Sequence, residues 1–135
     1  MATDFQKVLK KIDADNTVLL AGREDLRLAF EKIDGRINAM KAGVRIEPYA
    51  AGKTGFVIGL RRYHTGWHIS TIVSGIADIE SEVPVGEASS EVQVALIDHL
   101  GGLLEKLQGL IADEVKKTGG AVKEANKLVE AVRAT

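Results

Sequence analysis

The chain has 135 residues, with 18 Lys and Arg against 19 Asp and Glu and no cysteine; that length suits one domain with a core large enough to need no covalent staple. The absence of cysteine excludes disulfides and cysteine-ligated zinc or iron–sulfur centres, and a formal net charge of −1 argues against a general polyanion binder. No apolar run approaches the ~18 residues of a membrane span, and Met1-Ala2-Thr3-Asp4-Phe5 lacks the basic and apolar regions of a secretory signal, so a cytoplasmic protein is expected.

The first elements read as helices. Phe5, Val8, Leu9 and Ile12 fall on one stripe of a 3.6-residue period, predicting a helix over about 4–13. The short polar side chains of Asp13 to Thr17 then compete for backbone hydrogen bonds, so a break is expected there, with Asn16 or Thr17 capping a second helix over about 17–41. Leu19, Leu26, Phe30, Ile33, Ile37 and Met40 give that helix a heptad-like seam.

The middle of the chain switches to period two. Val44, Ile46 and Pro48 alternate with Arg45, Glu47 and Tyr49; Phe56, Ile58 and Leu60 with Val57, Gly59 and Arg61; Trp67, Ile69, Thr71 and Val73 with His68, Ser70 and Ile72. These runs predict strands over about 43–50, 55–64 and 67–76, an antiparallel meander with one covered face. Pro48, which has no N–H, places the first strand at an edge. A three-residue turn at 51–53 and a two-residue turn at Thr65-Gly66 set the register. They turn Val44, Ile46, Phe56, Ile58, Leu60, Ile69 and Val73 inward and place Tyr63 opposite His68.

Residues 75–99 carry six acidic side chains and no basic one, directly after a basic middle. An acidic loop is expected over about 77–89. Ser90-Glu91-Val92-Gln93 matches a capping box, opening a helix over about 90–118 whose stripe includes Leu96, Leu100, Leu103, Leu104, Leu107 and Ile111. Gly119-Gly120 should end it, with a last helix over about 121–134. The resulting expectation is a single α+β domain over residues 1–135, ordered α-α-β-β-β-α-α, with helices on one face of a three-stranded antiparallel meander and Leu104 in its core.

Few residues point to chemistry. Gly52-Lys53-Thr54 resembles the end of a phosphate-binding loop, but Glu47 stands where the first glycine belongs and a strand follows instead of a helix. His64 and His68 fall on opposite faces of the predicted hairpin and cannot share a tetrahedral ion. Serines 70, 74, 81, 89 and 90 include no G-x-S-x-G elbow. No catalytic residue, cofactor or metal is therefore expected. What remains is the open sheet face, where Arg45, Tyr49, Arg61, Tyr63 and His68 combine aromatic and basic groups of the kinds enriched in protein interfaces. The acidic stretch is a candidate to pair with this face, within one chain or across a dimer. The preferred reading is a small non-enzymatic interaction or adaptor protein, homo-oligomeric through leftover apolar helical surface. The alternative is a nucleic-acid-binding module in which the same face stacks bases.

Overall fold

The structure, a computed structural model, describes residues 2–135. It is α+β, with α1 (Ala2–Met40), β1 (Ile46–Ala50), β2 (Val57–Tyr63), β3 (Gly66–Ser74), β4 (Glu80–Pro84), α2 (Ser90–Ile97) and α3 (Leu100–Ala134). The four strands form one sheet in the order β1-β2-β3-β4, every neighbouring pair antiparallel. The chain divides into two compact units, residues up to His99 and residues 100–135.

Two helices were expected where α1 is one. Thr17 does not cap; its hydroxyl donates to the carbonyl of Asp13 at 3.0 Å, the i−4 bond that lets a threonine stay inside a helix. The expected acidic loop holds a fourth strand. Thr71 pairs with Val83 and Val73 with Ser81, and the glutamates at 80 and 82 hide the alternation. At the β3–β4 turn, Ala77 and Asp78 both take left-handed φ values, 61° and 58°.

The C-terminal helices also divide differently. Ser89, not Ser90, caps α2, accepting the Val92 N–H at 3.4 Å. Gln93 turns to the carbonyls of Val85, Gly86 and Ala88 and so makes no capping box. α2 stops at Ile97 where the His99 N–H bonds the Leu96 carbonyl. α3 then runs straight through Gly119-Gly120 to Ala134. The buried residues of α3 are Leu100, Leu103 and Leu107, whereas Leu104 is 40% exposed and is not core.

The β2–β3 register differs from the expected one by an even step, which preserves its faces, whereas β1–β2 is shifted by two residues at Ile46 and by three at Tyr49. In β2–β3 the two-residue turn is His64-Thr65, not Thr65-Gly66, so Tyr63 pairs with Gly66, Arg61 with His68 and Leu60 with Ile69. Gly66 has φ +120°, open to glycine at little cost, and a Cβ there would sit 2.8 Å from Asn38 Oδ1. The β1–β2 connection spans 51–56, closed by Ala51 N–H to the Phe56 carbonyl at 3.0 Å. Strand β2 therefore starts at Val57, and Phe56 is only half-buried.

Strand β1 carries a bulge. Ile46 pairs with Leu60 but Tyr49 pairs with Ile58, and such an insertion reverses the alternation. Gly59 makes room for it, since a Cβ at that position would lie 2.7 Å from the Ile46 carbonyl oxygen. Ile46, Ile58, Leu60 and Ile69 share one face and are buried, as are Phe30, Val85 and Leu96.

Candidate functional site

The site begins where α1 meets the edge of β3. Strand β4 turns away after Pro84, opposite Ser70, which leaves the outward backbone groups of Trp67 and Ile69 without a strand partner. Two side chains one helical turn apart on α1 take its place. The Asn38 amide accepts the Trp67 N–H at 2.7 Å and donates to the Trp67 carbonyl at 2.7 Å. Asp34 accepts the Ile69 N–H at 2.9 Å on Oδ1 and meets His68 Nδ1 at 2.8 Å with Oδ2. Asp34 is 4% exposed, and burial raises its carboxyl above the ordinary value, with the bonds from Ile69 and His68 opposing that rise. On the far side of the imidazole, His68 Nε2 lies 2.7 Å from Thr65 Oγ1.

Asp34 and His68 also line an open cleft of about 790 Å³, with Arg23, Glu24, Arg27 and Glu31 of α1 on one side and Pro84 to Gln93 residues on the other. Arg27 is held by Glu24 and Glu31 along the helix. The cleft thus presents both signs of charge.

Beyond His68 the open sheet face forms a second cluster. Glu82 of β4, its side chain 9% exposed, accepts the Ser70 hydroxyl at 2.8 Å and pairs with Arg45 at 3.2 Å and Arg61 at 3.6 Å. Arg45 also binds Glu47 at 2.7 Å. The Arg61 guanidinium lies 5.5 Å from the Tyr63 ring centre, and the Tyr63 and His68 rings meet edge-on with centroids 5.8 Å apart.

Four of the five residues singled out in the sequence, Arg45, Arg61, Tyr63 and His68, are therefore brought together. Tyr49 is not; the β1 bulge turns it to the face of Ile58, a correction to the expected alternation. The acidic stretch supplies the partner within the same chain, through Glu82. Sequence reasoning missed Asp34, Asn38 and Thr65. The readable signal was an acid and an amide, four apart, interrupting the apolar stripe Phe30, Ile33 and Ile37.

The Tyr63 hydroxyl is shielded from solvent and has no hydrogen-bond partner among the described residues. Burial, with the Glu82 carboxylate adding to it, pushes this phenol up to about 12 from its ordinary 10.0, against the opposing pull of Arg61, Arg45 and the nearby Ser70 hydroxyl. The unfolded chain then releases the proton first, so stability tied to the neutral phenol is intact below pH 10 and drains away between 10 and about 12. Tyr63→Phe is expected to leave the denaturation midpoint unchanged at neutral pH, because no bond is lost. It should also flatten the alkaline decline. A clear loss at neutral pH would show the hydroxyl to be bonded.

Comparison with protein-family models, with curated proteins and with solved structures finds no match to this chain.

Proposed function

We propose that this is a self-assembling interaction protein whose long helices pair with those of a second copy. The observation that supports this reading most is the pattern on α3. Ile111, Val115, Thr118, Val122, Ala125, Val129 and Val132 are spaced four and three alternately on one uninterrupted helix, the repeat that winds helices around each other. Val115, Val122, Val129 and Val132 are all exposed. β-Branched Val115, Val122 and Val129 recur at every seventh position, and Ala112, Gly119 and Ala121 beside the seam permit close approach.

The helix needs such a partner. Gly119 and Gly120 each cost about 1 kcal/mol relative to alanine in a helix interior, and no residue from Ala112 onward is buried within the chain. A stretch of this length draws most of its helical stability from packing. A second copy fits the charges, because Glu114, Glu124 and Glu130 interleave with Lys116, Lys123 and Lys127, offering both signs to an identical strand. α1 repeats the theme in its first half, where Phe5, Ile12 and Leu19 recur every seven residues and are exposed. On the sheet, Arg45 and Arg61 are already engaged by Glu82, which takes charge away from the nucleic-acid alternative.

Light scattering on the full chain at micromolar concentration is expected to give the mass of a dimer or higher assembly. Val122→Asp places an unpaired charge in the seam and should weaken association by at least about 100-fold, roughly 3 kcal/mol, while the Trp67 signal of the sheet unit is retained. A monomeric wild type would overturn the reading.

A further inference from the structure

Thr65, His68 and Asp34 lie in series: hydroxyl to imidazole at 2.7 Å, imidazole to carboxylate at 2.8 Å. From these contacts we infer that Thr65 is an activated nucleophile, an acyl-transfer site that accepts the acyl group of an activated ester or thioester with His68 as its general base. The inference is independent of helical assembly.

Three features of the fold converge on this order. Asp34 is fixed before any reaction, since its Oδ1 is held by the Ile69 N–H and leaves Oδ2 for the ring. With the carboxylate accepting from Nδ1–H, the ring's free lone pair sits on Nε2, facing Thr65, and the hydroxyl donates to it. The His64-Thr65 turn holds Thr65 exposed at the tip of the hairpin, where a donor can reach it. An ordinary turn threonine would be hydrated; this one has a base at hydrogen-bond distance and a buried acid behind the base, the arrangement that activates hydroxyl nucleophiles.

The step balances without any further reagent. Thr65 Oγ bonds to the acyl carbon as its proton passes to His68 Nε2, and Asp34 stabilises the imidazolium. The bond from the acyl carbon to the leaving oxygen or sulfur breaks, and the departing alkoxide or thiolate takes the proton from Nε2. The product is a threonine ester. Water attacking by the same route releases a carboxylic acid and restores Thr65. Because the hairpin tip is open and Thr65 carries a methyl group on the carbon bearing its attacking oxygen, the donor must bring a good leaving group. Thr65 and His68 are the catalytic residues here, and Asp34 is a positioning residue.

The test is p-nitrophenyl acetate added to the full chain, with p-nitrophenol release followed in time and the adduct located by peptide mass mapping. The expected result is a burst of one equivalent and acetylation at Thr65. Thr65→Ala should abolish both and Thr65→Ser restore them; the residue is exposed, so folding is spared. His68→Gln should slow acylation by about 100-fold or more, the usual share of a general base, and Asp34→Asn should change the pH profile of acylation as well as its rate. If either variant fails to fold, the Thr65 pair decides alone. Adducts confined to lysines or to His68, or equal acylation in Thr65→Ala, would overturn the inference.

Discussion

Phe30→Ala is expected to lower the unfolding free energy by about 3–5 kcal/mol, the range for truncating a fully buried aromatic ring. Phe30 is 0% exposed, and it sits where α1 contacts α2, β3 and the turn at Val85–Glu87. Gly86 is close by; a Cβ built on it would lie 3.9 Å from the Phe30 Cβ. Urea denaturation should show a lower midpoint with an unchanged slope. A loss below about 1 kcal/mol would show that the pocket collapses around the alanine.

Asp34→Ala is expected to cost about 1–3 kcal/mol at neutral pH, chiefly from the one buried donor left unpaired. The Ile69 N–H is buried against α1 and cannot regain its bond from water, whereas the His68 ring is partly exposed and can. Asp34→Asn separates the two contributions. Its amide oxygen can still accept the Ile69 N–H, so it should recover most of the lost stability. Recovery of none would mean that the ring contact carries the whole effect.

The alternation in the strands was readable because one face is buried, and Ile46, Ile58, Leu60 and Ile69 land on it together. The turns were not readable to the residue. Whether Thr65-Gly66 or His64-Thr65 forms the hairpin depends on Gly66 having to accommodate Asn38, a contact from a helix 28 residues earlier. The β1 bulge likewise answers to Gly59 across the sheet, and it alone moved Tyr49 out of the predicted cluster. Helix ends failed for the opposite reason. Asp13 to Thr17 and Gly119-Gly120 are poor helix interiors by propensity, yet neither stretch stops its helix. Of the site, the residues on the strands were found, because period two assigns faces. The acidic stretch was expected to pair with this face and does so through Glu82, whereas Asp34 and Asn38 were missed, because their partners are set by tertiary contact.

The amide of Asn38 occupies both backbone groups of Trp67 just as a neighbouring strand would. That is a form of protection against aggregation. A sheet edge with free donors and acceptors recruits other chains and seeds fibres, and the stretch of β3 beyond Pro84 would be such an edge. Plugging it with a side chain, with Asp34 taking up the Ile69 N–H, denies an incoming strand the Trp67 position and the donor at Ile69. At the opposite edge Pro48 withholds a donor and the bulge disrupts the ladder. The exposed stretch of β3 and the β1 edge are each guarded by a local device, and in Asn38→Ala the guard on β3 would be the first to fall.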